Sequence, residues 1–277
     1  MGCESGGDID PARLTEFSRE FSEVLNMQPD SCAPYVGKSA FAHKGGVHVN
    51  VIMKNAALYE HIEPETVGYI RRVLISDLSG KSNIDYKTGE LGFKFSDNKD
   101  GKSRELAQWA EIMEHNGYQF DGAEASFELV IQEQFGDYKS YFERADIDVH
   151  IDSTKDKLPR AVATLKVEVD GQTEHTAAEG VGPLHAMDVA LRKALLRFFP
   201  SVAQVKLADC KVRVLDGSGG TSSKVRVLIT SSDGRRSWST VGVSENIIEA
   251  SWLALRDSLS YHLYSLETAE MSQLEEH

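Results

Sequence analysis

Two stretches of the sequence, VEVDGQTEHTAAEGVGPLHAMDVALRKAL and LITSSDGRRSWSTVGVSENIIEASWLALRDSL, run through the same succession of strand-like segment, turn, strand-like segment and helix-like segment. The turn pairs Asp170-Gly171 and Asp233-Gly234 lie 63 residues apart, and Arg192 and Arg256 in the helical segments lie 64 apart, so one inserted residue relates the copies. Ahead of the first copy, ADIDVHID and ATLKVEVDG alternate with period two, as half-buried strands do. Strand signals return at 204–214 and 224–230, and helical spacing at 184–198 and 246–262. Each unit is therefore expected to be strand-strand-strand-helix. Two copies are too few for a solenoid. They suit a pseudo-two-fold α+β domain over residues 145–277 with helices packed on antiparallel sheets.

The sequence before the repeat has another character. Residues 11–27 place Leu14, Phe17, Phe21, Val24 and Leu25 at three- and four-residue spacings, which predicts an amphipathic helix ended by Gln28-Pro29-Asp30. Residues 31–60 are too rich in glycine for one helix, though 47–58 suits a short one. Residues 69–79 read as a strand, and 82–140 as a mainly helical subdomain with Gly117 as a helix C-terminal cap. The division expected is 1–30, a linker over 31–144, and the repeat domain.

Composition excludes several classes of function. Thirty Lys and Arg against 43 Asp and Glu leave a net charge of -13, the wrong sign for a nucleic-acid surface. No apolar run approaches the ~20 residues that span a bilayer, and the opening MGCESGGDID has no apolar core for a signal peptide. Cys3, Cys32 and Cys210 are scattered and odd in number, which fits a reducing cytoplasm better than a disulfide framework. Cys210, within an apolar stretch, reads as a small core residue.

Three places carry possible chemistry. In PYVGKSAFAHKGGVHVNV, His43 and His48 flank Lys44-Gly45-Gly46. Adjacent glycines permit positive φ or close backbone approach, and a histidine beside such a turn can present its ring for proton transfer. The alternative is a hydrogen-bonded structural histidine. Asp146, Asp148, His150 and Asp152 share one face of a strand; this fits a divalent metal or, more simply, the solvated side of an edge strand whose other side is Ile147, Val149 and Ile151. Gly180-Val181-Gly182-Pro183 and Gly242-Val243-Ser244-Glu245-Asn246 precede the two repeat helices. Free N–H groups there would receive a small anion; the alternative is a tight turn capped by Ser244 or Asn246. Ser79 and Lys81 in SGKSNI lack the upstream glycine of a phosphate-binding loop.

PYVGKSAFAHKGGVHVN, YEHIEPETVGYIRRVLISDLSGKSNI and GYQFDGAEASFEL closely resemble the citramalate synthase branch of the 2-isopropylmalate synthase family, and GVGPLHAMDVALRKAL and VGVSENIIEASWLAL resemble its C-terminal regulatory, dimerising domain. The resemblance implies condensation of acetyl-CoA with a 2-keto acid, pyruvate in this branch, within isoleucine biosynthesis. It also implies a catalytic (β/α)8 barrel that holds a divalent metal through a His-x-His pair, and this sequence contains no His-x-His. On the resemblance the chain is a C-terminal part, beginning at the barrel's exit helix (1–30), inactive by itself and with no metal or other cofactor of its own.

The resemblance further implies that His48, in Gly-Val-His, enters the partner subunit's active site, with Tyr69, Tyr59 and Asn50 as further candidates. It implies a homodimer that binds a branched-chain amino acid: isoleucine, or leucine were the chain of the 2-isopropylmalate synthase type. Gly180, Gly182, Pro183, Gly242, Ser244, Asn246 and Ile247 are the candidate effector residues. Two other readings stand beside this one, a free-standing amino-acid-binding module and a small metalloenzyme built on the Asp146–Asp152 face.

Overall fold

A computed structural model of the chain describes residues 10–25, 27, 29–74, 81–90, 99–135, 138, 140–152, 160–215 and 223–275. It divides into two compact units, residues 1–111 and 112–277. The sequence reading places the last boundary at 144/145; the packing groups residues 112–144 with the repeat, because helix α5 (Glu124–Phe135) packs against the last helix and last strand of the chain.

In the first unit, helix α1 (Leu14–Val24) follows a short turn capped by Asp10. Its apolar stripe does not enter a core: Phe17 is 62% and Val24 82% exposed, and Phe21 and Leu25 are exposed too. The helix is tied down instead through its other side, where the buried Thr15 hydroxyl donates to the Val67 carbonyl at 2.7 Å. Two-residue strands β1 (Ala42–His43) and β2 (Arg72–Val73) pair in parallel. Helix α2 (Gly46–Lys54) starts directly after β1 and packs on α3 (Lys81–Glu90). Of the strand expected over 69–79, the described residues 69–74 show β2, and 75–79 lie outside the described residues. Gly68, at φ +67, is the glycine that the backbone requires here, since an added Cβ would sit 1.9 Å from the Ala12 carbonyl oxygen. Helix α4 (Lys99–His115) ends as expected at Gly117 (φ +104), where the Tyr118 N–H reaches back to the Met113 carbonyl.

The second unit contains the duplication. Strands β3 (Glu143–Asp152), β4 (Arg160–Val169) and β5 (Gln172–Gly180) form one antiparallel sheet in that order, followed by helix α6 (Pro183–Leu195). Strands β6 (Lys206–Val214), β7 (Val225–Ser232) and β8 (Ser237–Ser244) form a second, followed by helix α7 (Ile247–Glu275). The copies agree in detail. The first strand of each has a register shift at the same place, between Arg144 and Asp146 and between Leu207 and Asp209. In each the third strand donates one threonine hydroxyl to its helix: Thr176 to the Ala190 carbonyl (2.9 Å) and Thr240 to the Ala254 carbonyl (2.7 Å).

Those pairs are 64 residues apart, and the strand register fixes the same offset throughout β4–β5 and β7–β8, since Val167 pairs Glu174 as Ser231 pairs Trp238. The structural counterpart of Asp170-Gly171 is therefore Gly234-Arg235, and the equation of the two Asp-Gly pairs is corrected. The inserted residue lies between the first and second strands of the unit. Asp170 and Gly171 both take positive φ (47° and 75°), as a two-residue hairpin of this hand demands. In the second copy only Gly234 does so (86°), while the Asp233 carboxylate accepts the N–H groups of Arg235 and Arg236.

Helix α6 packs on β4 and β5, α7 on β7 and β8, and the helices touch each other, so both copies share one core. Its buried rows are Ala161, Ala163, Leu165 and Val167 from β4, Ala186, Ala190, Leu191 and Leu195 from α6, and Ala250, Ala254, Leu255 and Leu259 from α7. Cys210 packs half-buried against this core, and burial pushes its thiol pKa up. Helix α5 is bound in through Ser126, whose hydroxyl donates to Asp257 (2.8 Å) and accepts the Val241 N–H (3.0 Å).

One buried group makes the second unit acid-sensitive. His262 of α7 is buried, stacked on Trp238 at 5.7 Å, and neither ring nitrogen has a hydrogen-bond partner among the described residues. Burial lowers its pKa below 6.5, and the polar Ser201 backbone and the Asp233 carboxylate, 3.9 Å away, offset this only in part. The unfolded chain therefore binds this proton more readily than the native one, and stability falls as pH drops below the unfolded-state value. Melting temperature should decline between pH 7.5 and 5.5, and His262→Phe should flatten that decline. An identical slope in the variant would contradict this assignment.

Candidate functional site

The linker residues singled out by sequence fall in two places. His48 is exposed in the first turn and a half of α2, and the ring of Tyr59 lies 4.6 Å from its own, centroid to centroid. Tyr59 is exposed, just after the turn Ala56–Leu58. Asn50, also exposed on α2, donates to the Ser82 hydroxyl at 3.3 Å. Tyr69 is elsewhere. It is 6% exposed and packs with Phe41, Val67 and Ile62 in a small core, with the Arg19 guanidinium 6.0 Å from its ring. His48 and Tyr59 thus offer an imidazole and a phenol to solvent side by side, whereas Tyr69 holds the linker together.

The glycine pair before α2 does not take the strained conformation that its sequence permits. Gly45 has φ -74° and ψ 130°, open to any residue, and a Cβ there would make only ordinary contact with the His48 ring. Gly46 is the first residue of the helix.

An ion cluster that sequence reasoning missed lies beside this pair. The buried Glu60 carboxylate accepts from His43 Nε2 (2.8 Å) and from Arg71 through both arms of a fork, Nε at 2.8 Å and Nη2 at 2.6 Å. Burial alone would raise the Glu60 pKa; the hydrogen bonds from Arg71 and His43 outweigh it and hold the carboxyl below its ordinary value. Glu60 and Arg71 are eleven apart, on either side of a single 3-10 turn (Pro64–Val67), so no periodicity marks them as partners.

In the duplicated unit the two helix N-termini differ. Gly182 is the N-cap of α6 with no side-chain cap bond, and Pro183 follows in the first position of the helix. At α7 the Asn246 side chain accepts the Ile248 N–H (2.8 Å) and Ser244 accepts the Asn246 N–H (3.1 Å), so this end is capped from within. Ile247 is exposed beside it. Gly180 ends β5, where a Cβ would meet the Ala186 backbone nitrogen at 2.4 Å. Gly242 is not in a turn: it is buried within β8, paired with Val227, and a Cβ there would lie 2.0 Å from the Ala250 carbonyl oxygen. Its role is the close approach of helix to sheet.

Asp146, Asp148, His150 and Asp152 lie exposed along the edge strand β3. Among the described residues, no three His, Cys, Asp or Glu side chains converge where they could hold a metal ion. No described helix is long and apolar enough to cross a membrane.

Residues 121–263 match the LeuA allosteric (dimerisation) domain, which takes in the whole duplicated unit as far as the middle of α7. The chain belongs to this family. Residues 35–110 match the Homocitrate synthase post-HMGL domain-like family, so the linker and the LeuA-type domain are each recognised separately. An (R)-citramalate synthase of Aquifex aeolicus is 50% identical over 252 residues, covering 91% of this chain and 48% of that protein. One of Geobacter sulfurreducens is 49% identical over 275 residues, covering 99% of this chain and 52% of that protein. A 2-isopropylmalate synthase of Shewanella sediminis is 31% identical over 261 residues, 92% of this chain and 46% of that protein. The resemblance to the citramalate synthase branch holds over nearly all of the LeuA-type chain, which spans about half the length of the curated relatives it matches.

Proposed function

We propose that the chain is the linker and regulatory part of an acetyl-CoA-dependent acyltransferase that condenses acetyl-CoA with pyruvate to citramalate. The observation that carries this is the near-complete match to (R)-citramalate synthases at 50% and 49% identity, against 31% for the 2-isopropylmalate synthase. In the complete enzyme, the metal and both substrates are held by residues outside this chain. His48 and Tyr59 complete the pocket of the partner subunit, where an exposed imidazole can give or take a proton. The uncovered stripe Leu14, Phe17, Phe21 and Val24 on α1 supports a further layer of protein against that helix.

The LeuA-type domain is the dimerising and effector-binding part. Edge-strand residues Ile151, Val212 and Val214 are exposed, as are Val181 and Ile247 beside the helix starts, which suits an apolar two-fold contact. The uncapped α6 N-terminus at Gly182-Pro183 is the better receptor for an amino acid's carboxylate, because Asn246 already occupies the equivalent place on α7. Isoleucine is the expected effector. The reading is tested on the chain alone: it should sediment as a dimer and release no CoA from acetyl-CoA and pyruvate. Turnover above a metal blank would overturn the assignment of the chemistry to residues outside the chain, and a monomer the assignment of the interface.

A further inference from the structure

We infer that Glu60 is a positioning residue for the His48–Tyr59 pair, acting through a buried carboxylate shared by His43 and Arg71; the inference rests on the proposed reading in which that pair meets the substrates. The geometry points to it from both sides. Glu60 is the residue after Tyr59, and its carboxylate is the common acceptor for His43 at the end of β1 and for Arg71 just before β2. Only Lys44 and Gly45 separate His43 from the helix that carries His48.

The same connection is held at its backbone. The His43 carbonyl accepts the Leu74 N–H at 2.9 Å, and the Lys44 carbonyl accepts from the buried Asn83 side chain at 2.8 Å, which also bonds the Leu74 carbonyl at 3.0 Å. The segment leading into His48 and the segment ending in Tyr59 are thus fastened to one another by Glu60 and to β2 by Arg71. The local chain from α2 through Asn55 to Tyr59 keeps the two rings close, and Glu60 anchors its far end to His43 and Arg71, where a reacting geometry needs position fixed to a fraction of an ångström. With one carboxylate buried among two donors, removing its charge leaves the Arg71 guanidinium without its counter-charge in a half-buried site.

The test has an arm for position and an arm for chemistry. In this chain, nuclear Overhauser contacts between the His48 and Tyr59 rings should be present in the wild type and in Glu60→Asp, and weak or lost in Glu60→Gln. In the complete enzyme, Glu60→Gln should lower kcat by about 10²-fold with KM little changed, and Glu60→Asp should recover part of the loss. Should Glu60→Gln fail to fold, Arg71→Lys, which keeps the charge and loses the fork, is read for the same two signals. Unchanged ring contacts with unchanged kcat in a folded variant would overturn the inference and leave Glu60 a plain stabilising residue. The proposed function fails separately, through a complete enzyme in which His48→Ala turns over normally; the ring contacts are read without any chemistry and do not depend on that result.

Discussion

His48→Ala in the complete enzyme should lower turnover by about 10²–10⁴-fold, the usual contribution of a positioned acid–base group. That loss corresponds to ~3–5 kcal/mol of transition-state stabilisation. The same substitution should hardly change the melting temperature. His48 is exposed on α2, the backbone before it is relaxed at Gly45, and alanine is the best helix former for the place it leaves. Among the described residues, the contact the fold loses is the one with the Tyr59 ring. Steady-state rates measured beside thermal melting separate the two effects. A variant that keeps near-normal kcat would remove His48 from the proposed active site.

Within the duplicated unit, the largest effect on stability should come from Gly242→Ala. The added methyl group would stand 2.0 Å from the Ala250 carbonyl oxygen and 2.9 Å from the Ala254 nitrogen, both in the backbone of α7. Backbone does not swing aside as a side-chain end does, so α7 must lift from β8. That movement would strain the Thr240 bond to the Ala254 carbonyl and loosen Val241, which the Ser126–Asp257 contact also uses. Overpacking in a core typically costs ~1–3 kcal/mol, and a backbone clash lies at or above the top of that range. Against a native stability of about 5–15 kcal/mol this is a large fraction. Denaturant unfolding should show the loss in the midpoint. Gly182→Ala, where a Cβ meets nothing within 4 Å, should be far milder. Equal midpoints for the two variants would contradict the close-packing account of Gly242.

The duplication was legible because period-two strands, turn glycines and helical spacing recur in order, and the tertiary packing respects all three. What the pattern misplaced was the register. Asp-Gly is the strongest short hairpin signal, so Asp233-Gly234 was equated with Asp170-Gly171. The strand pairing instead puts Gly234-Arg235 at the tip and uses Asp233 as a side-chain acceptor. Gly242 was read as part of a turn because it precedes a helix closely; its neighbour Ala250 is eight residues on, and how near a helix comes to its sheet leaves no local trace. The amphipathic stripe of α1 was read correctly as a helix, but periodicity does not say what covers an apolar face. His48, Tyr59 and Asn50 are active-site candidates only through resemblance to a family, and the structure places the rings of the first two side by side. Glu60 and Arg71 escaped because an ion pair eleven residues apart, across one short turn, has no periodic pattern to find.

Calorimetric titration of this chain with isoleucine tests the central claim most directly. Its expected result is a saturable heat with a raised melting temperature, weaker binding of leucine and valine, and little or none of alanine. One methylene in an apolar pocket is worth only ~1–3 kcal/mol, so the near relatives should bind less tightly without falling silent. Absence of both heat and melting shift with millimolar isoleucine or leucine would contradict the regulatory reading of the LeuA-type domain.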